Sequence, residues 1–283
     1  MEQEIEVSFD SGFFSCCTVM LNRIVLHYNE HNYFPTVNSS NLFNKYKDFD
    51  VDITNQLFNY SNNEIITECE FINFNKIDNP DFTYHGQFSD YKNINYKIIN
   101  PIIKKYFTPI DYIQNIKKHL ITKYNLNLDK TISVCFRGND KSKETNIPNY
   151  DEFIQKIESL VQLNPNHRLL VQTDENEFLQ CIKDKYPDSV FFEEMPRIDK
   201  NLNTQVAFTV EKNQRLFFAQ LFLSIILIVS QTNIVILNSG NVGMWISLYR
   251  GNNNNLFQFL DNKEFIYGHK NITYGIENTN WFN

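Results

Sequence analysis

The chain has 283 residues, 42% hydrophobic and 21% charged, with a formal net charge of −7. That length supplies one large or two modest domains, each with a real core. The negative charge leaves no basic field for a polyanion, which argues against DNA or RNA binding as the main role.

Residues 3–9 read as a strand, Asp10-Ser11-Gly12 as a turn, and Ser15 to about His31 as a helix. There Cys17, Met20, Leu21, Ile24, Val25 and Tyr28 recur at spacings of three and four. A second strand is expected over residues 33–37, so the chain opens as a βαβ unit. Its turn, with Gly12, sits at a helix N-terminus, where free N–H groups and the dipole favour an anion. His27 and His31 stand four apart on that helix, but no HExxH glutamate accompanies them. They read as two surface histidines. Asp48, Asp50 and Asp52 alternate with Phe49 and Val51. Such oxygens can hold a divalent metal, yet alternation also marks the wet face of a short strand, which is the preferred reading. The Asn-rich stretch from Ser39 to about Asn100 is mixed structure, with strand-like pieces at residues 65–66 and 70–74. Pro101 to Tyr124 is helical in two pieces split by Pro109, and a polar connector follows.

The second half alternates strand and helix, which implies a parallel sheet. Strands are expected at residues 130–136, 168–172, 189–192 and 233–237, with helices at 150–163, 175–186, 210–231 and 241–249. The longest apolar run, Leu216 to Val229, is broken by Gln220 and Ser224 and is shorter than the roughly 20 residues of a membrane span. It reads as a buried core helix. The acidic start MEQEIEVSF has no signal-peptide pattern. The five cysteines include no C-x-x-C, which suits buried thiols in a reducing compartment and not a zinc site. Both features give a cytoplasmic expectation.

Three strands of this half end in polar groups: Arg137 with Asp140, Thr173 with Asp174, and Asn238 with Ser239. In a parallel sheet these ends share one edge, where open α/β sheets bind ligands. An arginine there suits phosphate oxygens, which its fork grips bidentately. The plainer reading of Arg137 is an ion pair with Asp140, and the plainer reading of Asp174 is an N-cap. The two readings of Arg137 part on mutation. A strand-end arginine in a wet cleft supports turnover more than stability, and an ion pair does the reverse. The chain has eight glycines and no G-x-G-x-x-G, P-loop or G-x-S-x-G, which argues against a standard dinucleotide site, a P-loop and an α/β-hydrolase.

VCFRGNDK resembles the strand-end motif of the GDP-fucose-dependent fucosyltransferases of the α1,6, α1,2 and protein-O-fucosyl type, His-x-Arg followed closely by an Asp. LLVQTDENEFLQCIKDKYPDSVFF and VSQTNIVILNSGNVGMWISLYRG are similar to that family's next and last elements, so residues 130–250 are covered well and the first hundred weakly. The resemblance implies an α/β, GT-B-like fold of two facing Rossmann-like domains with parallel sheets: an acceptor-side domain over residues 1–125 and a nucleotide-sugar domain over 126–283. It implies an inverting, metal-independent transfer of fucose from GDP-fucose to a glycan or other hydroxyl acceptor, with no cofactor. Arg137 would hold the β-phosphate, Lys141 would lie beside it, and Thr173 and Asp174 would sit at the nucleotide. Ser239, Asn241 and the Gly12 turn would hold the diphosphate. Asp140 or Glu144 would act as the base. Cys135 stands where the family has His. The family's guanine-reading Asp is absent, with Gln220 or Ser224 the nearest polar group. Another nucleotide-sugar donor, or a binding module that kept the fold and lost turnover, are the alternatives.

Overall fold

The structure is a computed structural model and describes residues 4–49, 51–59, 86–145, 147–200, 202, 204–261 and 274–275. The strand-like pieces expected at 65–66 and 70–74, together with Asp50 and Cys69, lie outside the described residues.

The opening βαβ unit forms as expected. β1 (Glu4–Ser8) and β2 (Thr36–Asn41) pair in parallel, and α1 (Phe13–His31) crosses between them. The predicted face of α1 is the buried one: Cys17, Met20, Leu21, Ile24 and Val25 are fully enclosed. Asn32 ends the helix in the left-handed conformation, its N–H bonding the Tyr28 carbonyl. β2 starts later than predicted. Phe34 leaves the ladder and stacks on Tyr28 with ring centroids 4.5 Å apart. Pro35 has no N–H to give to a ladder, and pairing begins at Thr36. His27 is buried, its ring 4.4 Å from His31 and 5.0 Å from Tyr33, which corrects the surface reading. Burial, and then the neighbouring His31, lower its pKa.

α2 (Tyr96–Phe107) and α3 (Asp111–Lys123) are the two predicted pieces. α2 starts ahead of Pro101, which lies inside it. The helix begins five residues before the expected start at Pro101, because Ile98 and Ile99 already face the core with Ile102 and Ile103.

The second sheet contains β3 (Thr131–Phe136), β4 (Arg168–Thr173), β5 (Val190–Phe191), β6 (Ile234–Asn238), β7 (Leu256–Asp261) and β8 (Tyr274–Gly275), in the order β5-β4-β3-β6-β7-β8. All neighbours are parallel except β7 and β8. Its helices are α4 (Tyr150–Leu163), α5 (Asn176–Lys185), α6 (Arg215–Gln231) and α7 (Asn241–Arg250). β3 is buried along its whole length, as a central parallel strand covered on both faces must be. Ile132, Val134 and Phe136 point to one face and pack on Phe153 and Ile157 of α4 and Phe178 and Ile182 of α5. Cys135, Leu170 and Leu237 point to the other and join a core shared with α1, α2, α3, α6 and α7.

The stretch Lys212–Gln231 is long and apolar enough to cross a membrane by composition, and 72% of its apolar window is buried within the fold. α6 is a core helix here. Ser224 is satisfied by donating to the Ile113 and Gln220 carbonyls. Asp48 is not on a wet strand face. Its carboxylate accepts from the Leu216 N–H at 3.1 Å and completes the start of α6. Asp52 likewise accepts from Thr54 N–H and Ser39 Oγ.

α7 is fixed against α1 by Trp245, which is fully buried, stacks on Phe14 at 5.9 Å, meets Phe107 edge-on at 4.7 Å and donates its indole N–H to Thr18 Oγ1 at 2.9 Å. This contact sets the two helix N-termini side by side.

Candidate active site

The carboxyl ends of β3, β4 and β6 open into one cleft that is continuous with solvent, and the N-terminal turn of α1 forms its opposite wall. Arg137, Asp140, Lys141, Glu144, Thr173, Asp174, Ser239, Asn241 and Gly12 all line it. Gln220 does not: its amide donates to the Gln56 carbonyl at 3.0 Å. The placement of Gln220 as a ligand group is thereby corrected; it is the partner of a loop carbonyl.

Arg137 occupies the centre of the strand-end edge. Its backbone is clamped by Asn238, whose Oδ1 accepts from Arg137 N–H at 2.9 Å and whose Nδ2 donates to the Arg137 carbonyl at 2.9 Å. Asn238 thus ties the end of β6 to the end of β3. The guanidinium donates to Asp140 Oδ1 at 3.1 Å, and its Nε lies 3.3 Å from Asp174 Oδ2. Burial opposes its charge, but Asp174 and then Asp140 outweigh that and hold it protonated. The ion pair with Asp140 and the cleft position therefore coexist. Asp174 does not cap the helix that follows, because that position belongs to Glu175. Its second oxygen accepts from Gly138 N–H at 2.9 Å, and burial pushes its carboxyl pKa up against the pull of Arg137. Thr173 accepts from the Glu175 N–H.

The loop after Arg137 is pinned by Glu175, which accepts from Asn139 N–H at 2.7 Å and from the Tyr150 hydroxyl at 2.6 Å. Lys141, one turn on, is buried. Its ammonium donates to Glu144 at 2.6 Å and Gln87 Oε1 at 2.7 Å and lies 4.9 Å over the Phe88 ring. Burial lowers its pKa while Glu144 resists that change. Cys135 faces the cleft in place of the family's histidine; burial pushes its thiol up to about 12, so it is a neutral thiol and supplies no base.

Gln87 and Tyr91, unmarked in the sequence, form the hub of the β6–α7 turn. Gln87 Oε1 also accepts from Asn241 N–H at 3.1 Å and from its Nδ2 at 3.0 Å. The Tyr91 hydroxyl accepts from Gly240 N–H at 3.1 Å and lies 2.9 Å from the carbonyls of Gln87 and Gly240. Gly240 has a φ of +143°, and a Cβ there would meet Lys141 Cε at 2.8 Å, so only glycine fits. Asn241 reaches α1, donating to Ser15 Oγ at 2.9 Å and accepting from Thr18 Oγ1 at 2.7 Å. Ser239 is committed to the scaffold: its hydroxyl donates to the Phe259 carbonyl and accepts from Gln258. Tyr91→Phe removes a hydroxyl shared by groups that keep backbone bonds, Gly240 N–H to the Gln87 carbonyl and Met244 N–H to the Gly240 carbonyl, and should cost about 0.5–1.5 kcal/mol, a fall in Tm of roughly 1–5 °C for a chain of this size. Thermal unfolding of that variant checks the hub; an unchanged Tm contradicts it.

Among the described residues no group of three His, Cys, Asp or Glu is placed to hold a metal ion.

No protein-family model matches the sequence, and no curated protein matches it. Among solved structures the chain is similar to NodZ α-1,6-fucosyltransferase soaked with GDP-fucose, with a TM-score of 0.53 and 12% identity over 98% of this chain and 99% of that one. The chain has a GT-B-like fold. An Arabidopsis thaliana FUT1 mutant in complex with GDP also aligns, with a TM-score of 0.49 and 9% identity over 93% of this chain and 71% of that one.

Proposed function

We propose that the protein is a glycosyltransferase that moves fucose from GDP-fucose to a hydroxyl acceptor, such as a glycan, with inversion and without a metal. Residues 126–283 form its nucleotide-sugar half and residues 1–125 its acceptor-side half. The observation that carries this reading is Arg137: a charged guanidinium, clamped at its backbone by Asn238, at the strand-end edge of a cleft whose far wall is a helix N-terminus.

The acceptor oxygen forms a bond to the anomeric carbon as the bond from that carbon to the diphosphate breaks. Negative charge then grows on the leaving phosphate. Arg137 offsets it, with the N-termini of α1 and α7 close by. The acceptor proton goes to a carboxylate. Glu144 suits that role better than Asp140, because its side chain keeps 32% exposure against 14% and reaches arriving acceptor more readily. Lys141 holds it in place.

In a thermal-shift panel GDP should raise Tm, since a ligand of the native state stabilises it, and EDTA should leave the shift intact. A response to UDP alone, or one that disappears with EDTA, contradicts the GDP-fucose reading. GDP binding with no fucose transfer or donor hydrolysis would favour a binding module.

A further inference from the structure

We infer that the side-chain amides of Gln172 and Gln205 read the nucleotide base and that they select guanine; the inference rests on the nucleotide reading above. β4 runs Arg-Leu-Leu-Val-Gln-Thr; Gln172 follows its three apolar residues and sits in register with Cys135 of β3. Gln172 is only 5% exposed. Among the described residues its Oε1 is buried with no hydrogen-bond partner, and so is the Oε1 of Gln205 in the loop before α6. Both residues line the cleft, together with Met195, Val206 and Phe218. Buried amide oxygens are almost always paired, so each such exception calls for a cause. Apolar walls with a few placed polar groups are what a flat heterocycle needs. The acidic groups of the cleft are engaged elsewhere, Asp140 and Asp174 with Arg137 and Glu144 with Lys141. Acceptance from a base therefore falls to the amides. Two free acceptors call for two neighbouring donors. Guanine offers a ring N–H beside an exocyclic amino group, whereas adenine offers only an amino group and uracil only a ring N–H.

Calorimetric titration of GDP, IDP, UDP and inorganic pyrophosphate into the parent, Gln172→Leu and Gln205→Leu tests this. The parent should bind GDP about tenfold or more tighter than IDP, which lacks the amino group. Each variant should lose about tenfold or more in GDP affinity and keep parental pyrophosphate affinity. Unliganded Gln172→Leu should melt no lower than the parent, because leucine removes an unpaired acceptor beside Leu170. Parental GDP affinity in both variants, or UDP binding as tight as GDP in the parent, overturns the base assignment while pyrophosphate binding keeps the diphosphate reading. Failure of the parent to bind even pyrophosphate overturns both.

Discussion

Arg137→Ala should lower turnover by about a hundredfold or more, the scale seen when a charge-stabilising donor is removed from a transition state. The effect should fall on kcat more than on donor affinity, because charge on the leaving diphosphate grows only as the bond breaks. Arg137→Lys should recover part of it, since an ammonium restores the charge without the planar fork. The sequence alone suggested that such a variant keeps its stability. The structure changes that expectation. Arg137 is the partner of Asp174, whose side chain is 8% exposed, and its removal leaves a buried carboxylate facing only the Gly138 N–H. A loss of about 2–4 kcal/mol follows, at the low end for a broken buried pair because Arg137 itself still touches water. The loss has a pH signature. Burial already holds the Asp174 pKa above its unfolded value near 3.9, and without Arg137 it rises further, so the added stability deficit is smallest below that pH and grows as pH rises toward the variant's folded pKa. Combining Arg137→Ala with Asp174→Asn should restore most of the Tm and none of the turnover. A double variant that regains turnover with its Tm would reduce Arg137 to a structural ion pair.

Gly138→Ala is the other large effect. The constraint at Gly138 is space. A Cβ there would lie 2.0 Å from Glu175 Oε1. That carboxylate cannot step aside freely, because Asn139 N–H and the Tyr150 hydroxyl hold its two oxygens. The variant must break those bonds or shift the loop that carries Asp140 and Lys141. We expect a loss of about 2–4 kcal/mol, and turnover reduced by about tenfold or more as the cleft groups move, since small misplacements are costly in catalysis. Stability and activity both at parental values would show that the loop geometry is not what the site depends on.

The strand ends were legible because buried parallel strands leave a strong signal. Residues 131–136 carry no charged residue until Arg137, and β6 is apolar up to Asn238. Their convergence followed from topology alone. The functions of the polar residues at those ends were less legible. Asn238, Ser239 and Asp174 looked like ligand groups, yet each spends its hydrogen bonds on the scaffold that positions Arg137, Gly138 or β7. A residue's type does not distinguish a group facing a ligand from one facing a neighbouring backbone. Gln87 and Tyr91 were missed for a related reason. They stand in an Asn-rich stretch with no apolar period, and their importance lies in the bonds they make to Lys141, Asn241 and Gly240 while buried there. β7 was missed because LFQFLD follows a polar loop and its pairing with β6 is non-local. Gln172 did leave a trace: it is the polar residue that follows the apolar run Leu169–Val171 inside β4.

The central claim is that a nucleoside diphosphate sits with its phosphates against Arg137. A crystal structure of the protein with GDP tests it most directly. The account predicts β-phosphate oxygens within hydrogen-bond distance of the Arg137 guanidinium, between the N-terminal turns of α1 and α7. GDP bound elsewhere, or bound in the cleft with Arg137 still committed only to Asp140 and Asp174, would contradict it.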